Sequence, residues 1–307
     1  MFTEQRLMFI YCISPVHMGS GTSLGVIDNP VQRERHTGHP VLAGSAIKGA
    51  LRHAAGERGL DKNDLKRIFG PENQASDHAG AASFADGQVV IFPVRSLKGG
   101  FVYATSPIAL KRLERLASIT GALSEGSSWN LPEVDDKTAC VLTEGLLSSD
   151  KKLILESYAF GQAKDTGELE EASNWLAQNA LPSSNGHGFF SDKLKSDLVL
   201  LSDSQFSFFV RNSTSVEPHV RIEDASGTAS DGGLFFTENV PPEALFVSIA
   251  MTGEERMKKG SKGEPEKAAS LIQKIVNAFD GKSLQIGGDA TTGRGQVVLR
   301  FVNGGAQ

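Results

Sequence analysis

The feature that most constrains this chain is the interval between its first apolar run and its first helical pattern. "QRLMFIYCIS" (5–14) is apolar and aromatic over the length of a strand. Residues 15–44 then show neither strand nor helix periodicity and are broken repeatedly by Gly and Pro. Helical spacing begins only with "GSAIKGALRHAAGERG". There Ile47, Ala50, Leu51 and Ala54 form a stripe, Ser45 is placed to cap the start and Gly59 to stop the end. The long interval contains "GVIDNPVQRERHTGHPV", which sets Asp28 between a glycine and a proline with Arg33 and Arg35 close behind. A core segment would not carry these charges, and an idle loop has no need of so specific a set.

The remaining apolar runs complete the architecture. "GQVVIFPVRSL" (87–97) reads as a strand, and "SPIALKRLERLASIT" (106–120) as a helix with Ser106 at the cap and Pro107 in the first turn. Residues 121–150 are mixed and read as an insertion. "KKLILESYAF" (151–160) and "SQFSFFV" (204–210) read as strands. "SGTASDGG" (226–233), between "EPHVRIED" and "LFFTENV", reads as the tip of a mobile hairpin. In "EPEKAASLIQKIVNAF" (264–279), Ala268, Leu271, Ile272, Ile275, Val276 and Phe279 keep helical spacing; "SLQIGGDATTGRGQVVLRFV" (283–302) is strand, Gly-rich turn, strand. The order β, α, β, α, several strands, α, β, β predicts an α+β fold rather than a doubly wound one. A ferredoxin-like or RRM-like core carrying insertions fits this order.

Charge restricts the function classes. The chain carries a net charge of −5, so nothing global advertises nucleic acid. Residues 31–67, however, hold eight Lys/Arg against four acids, and a local basic window can track a phosphate backbone within a Debye length. The two cysteines, Cys12 and Cys140, lie far apart with no metal or disulfide spacing, as expected for buried thiols in a reducing cytoplasm. Neither a secretory N-terminal pattern nor an apolar run long enough to span a bilayer is read, so a cytoplasmic protein without membrane contact is expected.

Taken singly, the motifs leave alternatives open. "GDATTGRG" has phosphate-loop glycine spacing, but Arg294 and Gly295 stand where Lys and Ser/Thr are needed, and a strand rather than a helix follows. It could be a plain turn, or a loop whose amides and Arg294 meet an anion. The helix after "AGSAIKGALRH" offers an N-terminus to phosphate, with Lys48 and Arg52 four apart on one face, or is simply a capped helix with solvated charges. His17 in "SPVHMGSG" is a loop histidine that could be a surface group or a catalyst. Asp28 before Asn29-Pro30 could organise a local turn.

Taken together they are more specific. "HMGSGTSLGVIDNPVQRERHTGHPVLAGSAIKGALR" (17–52) closely resembles the N-terminal signature of one family, the RAMP-superfamily backbone subunits (subunit four) of type III-B (Cmr) CRISPR effector complexes. Val31 replaces the usual Ile. "GGDATTGRGQV" resembles the superfamily's Gly-rich loop, and "LFFTENVPPEALF" (234–246) the segment after its thumb hairpin; residues 121–200 carry little of the likeness.

The resemblance implies one RAMP domain over 1–307, with a lid or insertion at about 121–200 and a thumb hairpin at about 215–236. It implies self-association into a filament with other Cmr subunits, a guide CRISPR RNA along it, and cleavage of complementary single-stranded target RNA at regular intervals with a divalent metal, Mg or Mn. By the same resemblance Asp28 is catalytic and the metal ligand, and His17 and Glu238 are catalytic. Arg33, Arg35, Lys48, Arg52, Gly287, Gly288, Gly293, Arg294 and Gly295 are expected to contact RNA. A binding-only subunit, a guide-processing ribonuclease using His17 without metal, and a small-molecule enzyme on a ferredoxin-like core are the rival expectations.

Overall fold

A computed structural model describes residues 2–72, 78–163, 165–182, 186–257 and 264–302. In chain order the elements are β1 (Glu4–Cys12), β2 (Val41–Leu42), α1 (Gly44–Ala55), α2 (Lys62–Phe69), β3 (Ala82–Phe84), β4 (Gly87–Arg95), β5 (Phe101–Thr105) and α3 (Pro107–Ile119). There follow β6 (Thr138–Val141), β7 (Lys152–Leu155), β8 (Tyr158–Gln162), α4 (Leu169–Asn179), α5 (Gly188–Asp197), β9 (Leu198–Leu200) and α6 (Asp203–Asn212). The chain closes with β10 (Ser215–Ile222), β11 (Ala229–Asn239), β12 (Leu245–Thr252), α7 (Ala268–Phe279), β13 (Ser283–Gln285) and β14 (Gln296–Val302).

The fold is α+β, built on a large mixed sheet in the order β13-β14-β1-β12-β4-β5-β9-β6-β8-β7. Its centre is antiparallel. β1 lies between β12 (Glu4↔Thr252 to Tyr11↔Leu245) and β14 (Leu7↔Val302 to Cys12↔Val297), and β12 passes on to β4. The physical reason is visible in β1. Met8, Ile10 and Cys12 join one apolar cluster with Ile47, Leu51, Leu271, Ile275 and Phe279, while Leu7, Phe9 and Tyr11 join another with Leu110, Leu113, Leu176 and Leu194. Helices therefore cover both faces, which is why the strand reads as a continuous apolar run rather than an alternating one.

The expected helix 106–120 forms as α3, with Ser106 Oγ accepting from Ala109 N at 3.3 Å. Helix α1 forms too, but Ser45 is not its cap. Ala43 occupies that position, and Asp86 Oδ1 accepts from Gly44 N at 2.7 Å. The free N-terminus offered to phosphate is thus already met by a carboxylate. Gly59, at φ 91°, ends the short 3₁₀ turn that follows α1. Helix α7 begins at Ala268, four residues later than expected.

"SQFSFFV" is a correction: it is helix α6, not a strand. Ser202 Oγ caps it by accepting from Gln205 N, and Phe206, Phe209 and Val210 are the buried i, i+3, i+4 set that a short apolar run conceals. "KKLILESYAF" makes two strands, β7 and β8, around a turn in which Glu156 takes φ 51°. Region 121–200 does not stand off from the sheet; it extends it, with β9 parallel to β5 (Tyr103↔Leu198) and antiparallel to β6.

Strands β10 and β11 form a separate two-stranded hairpin, paired from Ser215↔Asn239 to Ile222↔Ala229 with a bulge between Val220 and Ile222. Its turn is placed earlier than the sequence suggests, because β11 begins at Ala229, which pairs with Ile222, and the turn lies at 223–228. Among the described residues no helix is long and apolar enough to cross a membrane.

Candidate active site

The site is organised by the edge of β11 that faces away from β10. Strand residues two apart present N–H and C=O to the same edge, so Phe236, Glu238 and Val240 share it. Each of these groups has a partner from the long interval after β1. Phe236 N donates to Asp28 Oδ2 at 2.7 Å, and Phe236 O accepts from Asn29 N at 3.0 Å. Glu238 N donates to Asn29 O at 3.0 Å, and Glu238 O lies 2.7 Å from His17 Nδ1. Val16 and Val240 exchange two 2.9 Å backbone bonds. The "extra" residues of 15–31 are therefore a second partner for β11, in which two side chains, Asp28 and His17, do what backbone does elsewhere. Their anchoring residues are two apart on one strand, about 7 Å between equivalent atoms.

This geometry defines what the two groups can do. A carbonyl only accepts, so His17 Nδ1 carries the hydrogen, and in the neutral ring Nε2 keeps the lone pair. A Cβ on Gly19 would lie 2.7 Å from Nε2, so only glycine there leaves this nitrogen open. Asp28 is half-buried and commits Oδ2 to Phe236 N; Oδ1 has no partner among the described residues. The local-turn reading of Asp28 is thereby replaced by a contact 208 residues away.

Glu238 is placed differently. It is 3 % exposed, and its carboxylate is occupied by the Arg33 guanidinium, by Thr214 Oγ1 at 2.6 Å and by Val31 N at 3.0 Å. Arg33 also donates to Gly38 O (2.7 Å) and Arg211 O (3.2 Å). This pair braces the segment carrying Asp28 against β11. Three of the five guanidinium N–H groups of Arg33 are engaged in this way, so the side chain braces the segment and keeps two donors for the expected phosphate contact. Thr214 had no sequence signal. Glu34, next to Arg33 in sequence, pairs with Arg112 at 3.2 Å and accepts from Thr37 Oγ1 at 2.7 Å. Burial alone would raise its pKa, but these two contacts hold it below the ordinary carboxylate value.

The Gly-rich loop closes the other wall. Gly288 N donates to His17 O at 2.9 Å and Gly295 N to Pro15 O at 2.8 Å. Gly287 takes φ 77°, and a Cβ there would meet His17 O at 2.3 Å, so glycine is required for the loop to reach the histidine backbone. Arg294 pairs with Glu217 of β10 and so ties the loop to the hairpin. Gly293 is exposed, with φ 81° and open space around it. Gly287 and Gly288 thus pack against His17, whereas Gly295 packs against Ile286 and Gln285.

The basic window does not form one patch. Lys48 Nζ donates to Ala82 O at 3.0 Å and Arg52 to Gly70 O at 2.9 Å, both away from Asp28. Burial, with Arg52 and Arg256 nearby, lowers the Lys48 pKa. Arg67 pairs with Glu255 and Glu266. Arg35 is exposed and makes no ion pair among the described residues.

Among the described residues no three His, Cys, Asp or Glu side chains converge as metal ligands. With Glu238 committed to Arg33, the donor set offers a single carboxylate. That fits a largely hydrated divalent ion shared with phosphate oxygens, not an all-protein cage.

Comparison with known proteins gives the family of the chain. The RAMP superfamily profile matches residues 9–298. The CRISPR system Cmr endoribonuclease Cmr4 of Pyrococcus furiosus is 36% identical over 305 residues, covering 97% of each chain. The crystal structure of oligomeric Cmr4 from Pyrococcus furiosus superposes with a TM-score of 0.73 at 29% identity, covering 97% of this chain and 98% of that one. A chain of the type III-B Cmr-beta complex bound to cognate target RNA shares the fold, with a TM-score of 0.71 at 22% identity over 98% of both chains. This chain belongs to the RAMP superfamily and, within it, to the Cmr4 family of CRISPR subunits.

Proposed function

We propose that this chain is a guide-RNA-binding backbone subunit of a cytoplasmic type III-B CRISPR effector complex and cleaves complementary target RNA at regular intervals. In this reading residues 1–307 are one RAMP domain. β1, α1, β4, β12, α7 and β14 are its ferredoxin-like, RRM-like core, β5 to α6 contain the lid, and β10–β11 is the thumb. The observation that carries the reading is the pair Asp28 and His17, anchored two residues apart on one edge of the hairpin strand and walled by the Gly-rich loop.

The chemistry follows from which atoms are free. A target nucleotide splayed at the root of the hairpin presents its 2′-hydroxyl to the adjacent phosphorus. The 2′-O–P bond forms as the P–O5′ bond breaks. His17 Nε2 takes the hydroxyl proton, and water returns one to the leaving 5′-oxygen, giving a 2′,3′-cyclic phosphate and a 5′-hydroxyl. Alignment of the three reacting atoms contributes much of the rate. Asp28 Oδ1 would be the protein ligand of Mg or Mn, which when bound supplies charge stabilisation at the phosphoryl oxygens. Glu238 acts as a positioning residue through Arg33 and Val31. Arg33, Arg35, Lys48, Arg52, Gly287, Gly288, Gly293, Arg294 and Gly295 remain the proposed RNA-backbone contacts, with Arg294 released from Glu217 for that purpose.

The test is a reconstituted complex cutting guide-complementary RNA, wild type against Asp28→Ala, with and without Mg²⁺. The variant should assemble on guide RNA and lose cutting by about 10²–10⁴. Undiminished cutting would remove Asp28 from the mechanism and favour the binding-only reading. Persistent cleavage of precursor guide RNA in EDTA would favour the guide-processing one.

A further inference from the structure

A second site lies at the foot of the hairpin, where β11 runs through Pro241-Pro242-Glu243 into β12. Glu243 takes φ 70°, a conformation in which glycine is the easy choice, and Pro242 precedes it as in a tight turn. Its backbone N–H is used, donating to Cys12 O at 2.8 Å. Its carboxylate is not: Oε2 is buried and has no hydrogen-bond partner among the described residues. Both features cost stability, and neither is returned by a contact within the chain. Burial pushes its pKa up to about 7, in keeping with a carboxylate that lacks a cation.

Glu243 opens on a cavity of about 400 Å³ lined also by Pro93, Arg95, Phe101, Glu156 and Pro242. Among the described residues that line it the one cation, Arg95, pairs with Glu156 at 3.2 Å, so the carboxylate left over is that of Glu243. The walls are prolines and Phe101, whose ring already carries Lys193 Nζ at 4.6 Å from its centroid, so they offer apolar packing to the aliphatic stem of a flat, weakly hydrated cation. Two carboxylates against one guanidinium repel a phosphate chain, so RNA is not the occupant.

We propose that this cavity receives an arginine side chain from a protein partner, with Glu243 as its carboxylate receptor. The site is separate from the Asp28–His17 groove and does not depend on the nuclease reading.

The experiment titrates N-acetyl-arginine amide onto the full chain by calorimetry or NMR, with N-acetyl-citrulline amide as the neutral isostere. Wild type should bind the arginine probe at least about tenfold more tightly than the citrulline probe, as expected for a charge-assisted bond. Glu243→Gln should abolish that preference. Glu243→Gly removes the carboxylate and relieves the backbone, so it should melt at a higher temperature than wild type yet bind no arginine, separating binding from folding. Equal binding of the two probes, no binding of arginine by wild type, or an unchanged preference in Glu243→Gln would overturn the proposal. So would arginine binding that emerges only in Arg95→Gln, since Arg95 would then fill the cavity from within.

Discussion

The two ends of β11 differ sharply although they belong to one strand. At the root, Thr237, Glu238, Asn239 and Val240 are 0–3 % exposed, and the strand is paired on both edges. Toward the tip, Leu234 is 57 % exposed, and Ile222 and Val220 across the hairpin are 55 % and 47 % exposed. The root is a frame whose geometry is over-determined; the tip carries apolar side chains that nothing in the chain covers. The lesson is that the groups with chemical potential are bolted to the rigid end, and the adaptable surface is kept about a hairpin's length away.

Several substitutions would break or sharpen that contrast. Glu238→Ala should do the most damage to folding. It strands the partly buried Arg33, Thr214 and Val31 N–H, and breaking a buried pair costs about 3–5 kcal/mol. Denaturant unfolding measures this, and a loss below 1 kcal/mol would show that the root is not a frame. Gly287→Ala comes next: its left-handed backbone and the 2.3 Å approach to His17 O should cost roughly 1–3 kcal/mol and displace His17, seen as lost cutting out of proportion to the drop in Tm.

Glu243→Gln should stabilise the protein at alkaline pH. The folded pKa is raised to about 7 from 4.5, so the folded state holds the proton longer and wild-type stability falls as pH rises through that window. Discounted for partial exposure, the variant should gain roughly 1–2 kcal/mol at pH 8 and nothing at pH 4. A pH series of melts checks the sign. Leu234→Ser, at the tip, should change stability by less than about 0.5 kcal/mol, while altering the position or yield of target cuts if the tip meets RNA. A large stability loss there would erase the distinction between the two ends.

Much of the fold could be read before the structure, because the terminal strands and helices carry long periodic or doubly buried patterns: β1, β4, α3 and β14 fall within a residue or two of where they are expected, and α7 forms with a later start. What failed was short. Seven residues containing three phenylalanines cannot declare a period, and α6 needed its cap, Ser202, to be recognised. The candidate site was legible as a set of residue types within 17–31 and 287–295, but not as a geometry. Nothing in the sequence says that Arg33 spends its charge on Glu238, 205 residues away, or that Asp86 reaches the start of α1. Long-range polar pairs leave no periodic trace, so charges that look available in a sequence window, such as Arg33, are found bonded to distant groups while a neighbour such as Arg35 is not.

One consequence of the shared strand edge concerns insertions and deletions. Only even-numbered residues of β11 turn their amides toward Asp28, Asn29 and His17. Lengthening the turn at 223–228 should be harmless. Adding a single residue between Leu234 and Phe236 would rotate the wrong set of peptide groups toward the groove and disarm the chain with every reactive side chain still present.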